Sequence, residues 1–358
     1  MAVITEQLPA AGAPNQSAPV SRIVLNGEEV AAIRKLVDEI AAKFDSVEDP
    51  DFLRQATVWA QELPRRVRTA LVEFRQLEPE AAHLVISGFP IDEEEIGPTP
   101  EHWNRPDETR SPALAYEVFF VLASSLLGEP IGWRTQQHGR VVHDLMPVKG
   151  MEKEQIGIGS EMTIWWHTED AFHPMRGDYL GMFCLRNPDE VPTTFATLEN
   201  VKISPQHWEM LFQPHYIIKP DNSHQQAQAS PEDEDELQQV YRRIEQMKRH
   251  PDKIAILSGD PRSPYVRIDH YFMDRLEDNP EAQEALDAFV KAVDAQIGDL
   301  ALNPGDMCFI DNMKSVHGRR AFKPRYDGHD RWFKRLNITR DLRKSRAERP
   351  SAASRIIQ

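Results

Sequence analysis

The sequence predicts an α+β protein: a double-stranded β-helix (jelly-roll) core flanked by helices, with a helical region before it and a helical insertion within it. Three observations carry this expectation. Helix signals dominate the first third of the chain. From about Gly132 the texture changes to short β-rich runs, and two helical stripes interrupt those runs. Short strands separated by turn-formers suit a β-sandwich or a jelly-roll barrel.

Taken in order, the elements read as follows. Residues 1–20 are rich in Pro, Ala and Gln and read as a flexible tail, with no basic region leading into a long apolar run as a signal peptide would have. Asn26 with Glu29 marks a helix start. Val30, Ile33, Leu36, Val37, Ile40 and Phe44 then fall on one helical face. A second helix is expected after Ser111-Pro112, running to Gly128. Its stretch LAYEVFFVLASSLLG is mostly apolar and should be buried. The runs YLGMFCLRN, HYIIKP, IAILSG, YVRID, DMCFID and KRLNIT read as strands. DELQQVYRRIEQMKR follows the acidic run SPEDEDE and forms an inserted helix over about 231–250. It places Leu237, Val240, Tyr241, Ile244 and Met247 on a stripe. NPEAQEALDAFVKAVDAQIG starts with Asn279 as cap and Pro280 at the first helical position. Both stripes should pack against the barrel. The polar end RKSRAERPSAASRIIQ reads as mobile. The expected organisation is a tail over 1–20, one domain over 21–345 with its jelly-roll at about 132–343, and a C-terminal tail over 346–358.

The chain has 358 residues, long for one domain but acceptable for a barrel with helical additions. At 40% hydrophobic residues it can bury a large core. A formal charge of −15 argues against nucleic-acid or anionic-membrane partners, which need basic patches. It agrees with a soluble, cytoplasmic protein and with attraction of a cationic substrate. The two cysteines, Cys184 and Cys308, form no close pair, so a disulfide framework or structural zinc is not expected. No apolar run approaches the roughly 20 residues that span a bilayer. A homo-oligomer is left open.

The stretch TIWWHTEDAF carries the chemistry. In a strand, His167 and Glu169 face one side and Thr168 the other. That suits two ligands of a 2-His-1-carboxylate facial triad, which binds Fe(II) and leaves positions open. His-x-Glu alone is a weak signal and needs a distant second histidine. LNPGDMCFIDNMKSVHGRRAF offers His317, after a turn and a buried strand and before a basic stretch. Without a metal, His317 would be a surface histidine near a loop.

Together the two segments resemble the iron(II)- and 2-oxoglutarate-dependent oxygenases. WHTEDAFHPMRGDYLGMFCLRN, PGDMCFIDNMKSVHGRRAF and RWFKRLNITRDLR resemble the clavaminate synthase-like branch, which includes hydroxylases of free arginine, lysine and asparagine. The likeness spans roughly Gly132 to Arg343. It implies a jelly-roll core with His167, Glu169 and His317 as iron ligands. It also implies 2-oxoglutarate as cosubstrate, and O2. Relatives that halogenate have a small residue where Glu169 stands, so the resemblance implies hydroxylation.

The far carboxylate of 2-oxoglutarate needs a buried cation, and an arginine fork suits it. Arg331 follows His317 at the spacing this branch uses. Thr194 is the best match for an assisting hydroxyl, with Thr193 as the alternative. Arg335 lies on the same side of a strand as Arg331. The resemblance assigns it the substrate's α-carboxylate; otherwise it is a structural ion pair. Gln136, or else Gln137, matches a glutamine lining the amino-acid pocket, and Ser160 matches a contact to the substrate's backbone groups. Asp269 matches an aspartate that meets the nitrogen at the end of the substrate side chain. Similar arginine hydroxylases carry a second aspartate two positions on, where this chain has Tyr271. One carboxylate plus a phenol suits an ammonium better than a guanidinium. The expectation is therefore hydroxylation of a free basic L-amino acid, lysine ahead of arginine, at C3 or C4, with succinate and CO2 as coproducts. The alternatives are arginine hydroxylation at C3 or C4, desaturation or cyclisation within the family, or a non-enzymatic cupin-like binding protein. The last would not need Arg331 and Thr194. Of Trp165 and Trp166, on alternating faces, one should pack into the core while the other walls the site.

Overall fold

The computed structural model describes residues 21–104, 110–224 and 235–358. The expected tail over 1–20 and most of the SPEDEDE run lie outside the described residues. The chain opens with β1 (Ser21–Val24) and three helices, α1 (Gly27–Ala41), α2 (Pro50–Trp59) and α3 (Arg65–Leu77), followed by β2 (His83–Ser87). Short α4 (Glu93–Ile96) and α5 (Leu114–Ser124) come next. Strands β3 (Glu129–Trp133), β4 (His143–Leu145), β5 (Ile164–His167), β6 (Tyr179–Arg186) and β7 (Thr193–Thr197) follow. After α6 (Pro205–Leu211) and α7 (Asp235–Arg249) come β8 (Leu257–Asp260), β9 (Ser263–Val266) and α8 (Pro280–Asp294). The chain closes with β10 (Gly298–Leu300), β11 (Met307–Asp311), β12 (Ser315–Arg319), β13 (Trp332–Thr339) and β14 (Ile356–Ile357).

Two sheets form the jelly-roll. The larger runs β1-β2-β11-β6-β13-β3-β14, with β4 also paired to β13; the smaller runs β10-β7-β12-β5. Side-chain alternation divides the larger sheet's residues between two cores. On β6, Tyr179, Phe183 and Leu185 join the helical layer, while Leu180, Met182 and Cys184 point into the barrel. Between them Gly181 lets α5 approach closely: a Cβ there would meet Phe120 at 2.8 Å. On the smaller sheet, Trp166, Ala196 and Val316 face outward and pack with Leu211 of α6 and Phe289 of α8.

The helix starts match their sequence signals. The Asn26 side chain accepts from the Glu29 amide, and the Glu29 carboxylate accepts from the Asn26 amide, both at 2.9 Å. Asn279 caps α8, with Pro280 as its first residue. Helix α5 is buried at every position but ends at Ser124 rather than Gly128. Ser124 and Ser125 turn their hydroxyls back onto the carbonyls of Phe120 (2.7 Å) and Val121 (2.8 Å), a side-chain bond that competes with helix continuation. The α7 stripe packs through Ile244 onto Ala171, Phe172 and Ile218. Among the described residues, no helix is long and apolar enough to cross a membrane.

Three expectations need correction. HYIIKP is no regular strand; it pairs only through isolated bridges, Tyr216 to Ile254 and Ile218 to Met273. IAILSG and YVRID contribute a separate hairpin, β8–β9, outside both barrel sheets. Their apolar residues are buried against α6 and α8 instead, so the alternation is satisfied without barrel pairing. Residues 346–358 do not trail off as a tail. Buried Arg349 donates to the carbonyls of Leu342 (3.0 Å), Ala352 (2.9 Å) and Ser354 (2.6 Å). That turn returns the chain to the barrel, where β14 pairs in parallel with β3 and Ile357 covers Ile131 and Trp133.

Candidate active site

A cavity opens between the two sheets. Cross-strand pairing builds its floor. His317 of β12 lies directly opposite His167 of β5, with ring centroids 4.6 Å apart. Glu169 falls just beyond β5, so simple strand alternation does not place it. A turn with Asp170 at φ 50° does. It brings Glu169 Oε2 to 3.6 Å from His167 Nε2 and 3.2 Å from His317 Nε2. Buried Asn312 locks that turn: it accepts from the Glu169 amide (2.7 Å) and donates to the carbonyls of Glu169 (3.1 Å) and Gly177 (2.8 Å). Asn312 carries no motif of its own, and sequence reasoning missed it.

The donor atoms suit a metal ion. One ligand atom from each of His167, Glu169 and His317 lies within 4.8 Å of the others. His167 Nδ1 donates to the Trp165 carbonyl at 2.8 Å, which leaves Nε2 as the lone-pair nitrogen facing the cluster. Burial disfavours a charged His167, but the Glu169 hydrogen bond and the charges of Asp269 and Glu169 outweigh it and raise the imidazole to about 9. Burial likewise opposes a charged Glu169, yet Arg335 and both histidines hold its carboxyl well below the usual range. A metal ion would take the place of that shared proton.

Arg331 stands beside this cluster, buried, with its guanidinium 3.8 Å over the Phe333 ring. Among the described residues it has no hydrogen bond, and its buried Nε is unpartnered. Burial lowers it to about 10. A buried cation without a partner is costly, so the site fits an anion. The β7–β12 register corrects the choice of hydroxyl. Thr193 pairs with Arg319 and shares the His317 face, lining the cavity. Thr194 is on the opposite face, its hydroxyl against Gly318.

Arg335 reaches Glu169 through an ion pair and donates at 2.8 Å to both Gln136 Oε1 and His143 Nδ1. Gln136 sits behind it and donates onward to Ser223 Oγ at 2.6 Å. Gln137 turns instead to the Asp144 backbone. Ser160 lies behind the cavity wall, its carbonyl accepting from the Phe322 amide at 2.9 Å. Trp166 packs outward, donating to Asp294 at 2.6 Å. Trp165 is half-buried against His270, and neither tryptophan lines the cavity.

Two carboxylates add negative charge to the site. Burial raises Asp269 to about 6; His167 opposes that shift and the charge of Asp221 adds to it. Tyr271 does not join Asp269. A 3-10 turn over His270–Phe272 replaces the strand alternation, leaving Tyr271 49% exposed against Phe272 and outside the cavity. The second carboxylate comes from Asp221, which lines the cavity from a distant segment that no motif marks. Asp170, Asp221 and His224 also converge, but Asp170 is already engaged by Trp133 (2.6 Å), Asn337 (2.9 Å) and His224 (3.0 Å).

A jelly-roll with a His–Glu–His cluster and, beside it, a buried arginine with no hydrogen bond among the described residues defines the class of iron(II)- and 2-oxoglutarate-dependent dioxygenases. The chain belongs to the taurine catabolism dioxygenase TauD, TfdA family, which matches residues 68–337. It is 45% identical to an enduracididine beta-hydroxylase of Streptomyces hygroscopicus, over 93% of this chain and 98% of that one. It is 41% identical to an L-ornithine/L-arginine 3-hydroxylase of Catenulispora acidiphila, over 94% and 99%. The crystal structure of the non-heme iron oxygenase OrfP with Fe, succinate and (3S)-hydroxy-L-Arg superposes with a TM-score of 0.90 at 40% identity, covering 95% of this chain and all of that one. OrfP has also been solved with Fe and alpha-ketoglutaric acid. The protein is a 2-oxoglutarate-dependent dioxygenase that uses iron, an enzyme rather than a cupin-like binding protein.

Proposed function

We propose that this dioxygenase hydroxylates a free basic L-amino acid, L-arginine ahead of L-lysine, at C3. One observation carries the reading: two carboxylates feel each other's charge at the site, Asp221 on the cavity wall and buried Asp269 beside His167, and Arg335 pairs with Glu169 in the same cavity. The site thus offers both signs of charge: carboxylates that act on His167, and an arginine on Glu169. A zwitterion with a cationic side chain matches that set of charges.

His167, Glu169 and His317 would hold the ferrous ion. Bound iron and 2-oxoglutarate supply the oxidising chemistry, with succinate and CO2 as coproducts. The other roles are positional. Arg331 takes the far carboxylate of 2-oxoglutarate, assisted by the Thr193 hydroxyl. Arg335, oriented by Gln136 and His143, takes the substrate's α-carboxylate. Asp221 and Asp269 take the side-chain cation. Clamping both ends holds a carbon near the amino-acid head at the metal.

The expected preference for lysine is not supported. It rested on a single carboxylate with Tyr271 beside it. Tyr271 lies outside the cavity, and Asp221 supplies the second carboxylate a broad guanidinium can use. The names of the relatives above also favour arginine and C3. The test is succinate release with arginine, homoarginine, ornithine, citrulline and lysine, with product mass and the position of oxygen determined for each. Arginine should exceed lysine by at least about tenfold in kcat/KM, since a site built for a polar group discriminates strongly against a poor match. A product lighter by two hydrogens would mean desaturation. Lysine as the better substrate, or a neutral amino acid, would overturn the arginine reading.

A further inference from the structure

Two buried guanidinium groups line the cosubstrate end of the cavity, and they differ in what they already hold. Arg331 has no hydrogen bond among the described residues. Arg319, on β12 and equally buried, has its donors occupied by backbone carbonyls. It donates to the carbonyls of Gly159, Met162 (3.0 Å), Ser160 (3.5 Å) and Arg320 (3.2 Å). The first three belong to one loop, whose preceding residues Gln155, Ile156 and Gly157 form part of the cavity wall.

The same loop is held at several other points. The Phe322 amide donates to the Ser160 carbonyl at 2.9 Å. Gln155 donates to the Thr163 carbonyl at 2.8 Å and so anchors the loop to the start of β5. Tyr326 donates to Glu152 at 2.7 Å at the outer edge. None of these groups gathers three loop carbonyls at once, as Arg319 does. A planar fork of five donors can do so; a lysine, with one compact charge on a flexible stem, cannot. Burial, with repulsion from Arg331 added, lowers Arg319 to about 9. The carbonyl dipoles offset that cost.

We propose that Arg319 is a positioning residue: it holds the Gly157–Met162 loop against the cosubstrate end of the cavity, and leaves the anion to Arg331. This rests on the reading of Arg331 as the 2-oxoglutarate arginine. The loop then shields the reacting end from bulk water, and cosubstrate oxidation stays coupled to hydroxylation.

The test compares Arg319→Met, Arg319→Lys and Arg331→Met in the iron-loaded enzyme. Three quantities are read: 2-oxoglutarate affinity from anaerobic titration, amide exchange across 157–163 with and without 2-oxoglutarate, and the ratio of succinate to hydroxylated product. In Arg319→Met, exchange over 157–163 should rise by about tenfold or more, as for a segment losing its main anchor. Succinate should exceed product, while 2-oxoglutarate affinity changes by less than about threefold. Arg319→Lys should rescue little. Arg331→Met should weaken 2-oxoglutarate by at least about tenfold and leave loop exchange unchanged. Should Arg319→Met fail to fold, Gly159→Ala serves instead. A Cβ there meets the Glu154 carbonyl at 2.2 Å and displaces the loop from the Arg319 guanidinium while the arginine itself stays in place, so it should reproduce the uncoupling. Unchanged loop exchange in Arg319→Met, with 2-oxoglutarate affinity lost as in Arg331→Met, would make Arg319 an anion ligand and overturn the proposal. An unaffected Arg331→Met would instead remove the reading of Arg331, and loop exchange would still judge the clamp.

Discussion

At the scale of single residues, Asp221 and Asp269 are where charge decides affinity. Asp269→Asn and Asp221→Asn keep their shapes but remove a counter-charge. Each should lower turnover of arginine by at least about tenfold, the penalty of a buried cation without its partner. Iron and 2-oxoglutarate binding should survive, and a neutral substrate such as citrulline should lose less. Asp269 also sets a pH response. Burial raises its carboxyl to about 6, so it carries its charge above that pH and loses it below. KM for arginine should therefore climb as pH falls through about 6, and the step should vanish in Asp269→Asn; the same step in both proteins would assign it elsewhere. Asn312 offers a third check, because it fixes the Glu169 turn without reaching the cluster itself. Asn312→Ala should weaken Fe(II) binding by about 10–100-fold, the usual effect of losing a group that orients a ligand. Unchanged iron affinity would show that the turn holds without it.

At the scale of elements, β13 shows what the sequence made legible and what it hid. Period-two alternation, carried one residue ahead of the strand, put Arg331 on the same side as Arg335, and both line the cavity. His167 and His317 were legible through long motifs, and their strands prove to be direct neighbours. The same logic failed where the backbone leaves the strand. Tyr271 sits in a 3-10 turn, and Thr193 rather than Thr194 faces inward because the β7–β12 register, invisible in one strand alone, decides the face. Asp221 could not be found at all, since only the tertiary fold carries it to Asp269. On its other face β13 hides a charge: Lys334, fully buried, pairs with Glu117 of α5 (2.6 Å) and Asp144 of β4 (2.5 Å). This ties the helical layer to the sheet behind the active site. Lys334→Met should cost about 3–5 kcal/mol in urea unfolding, because it leaves Glu117 buried without its cation and removes the nearer of two cations from Asp144, which keeps Arg140 at 3.7 Å. A loss below about 1 kcal/mol would mean that hydrogen bonds from neighbours such as Trp332 and Ser111 suffice.

At the scale of the whole molecule, the site depends on chain segments that never touch the substrate. The C-terminal residues are the clearest case. Their polar composition read as a loose tail, yet Arg349 draws its own turn together and β14 extends the sheet beside β3. Strand β3 leads directly into Thr135 and Gln136, and Gln136 orients Arg335. Removing residues 350–358 would strip Arg349 of the Ser351, Ala352 and Ser354 carbonyls and uncover Ile131 and Trp133. The melting temperature should fall by at least about 5 °C, as expected for losing a few kcal/mol in a chain of this size. The functional loss should be selective. Arg331 precedes β13, whose main pairing is with β6, so 2-oxoglutarate affinity should hold. Arginine binding passes through Gln136 and Arg335, so its KM should rise by about threefold or more, the effect of loosening a group that positions the substrate. The full-length and shortened enzymes, compared below the melting transition of both, provide the measurement. Equal losses of arginine and 2-oxoglutarate affinity would point to general loosening of the barrel, and unchanged values for both would detach the C-terminal strand from the active site.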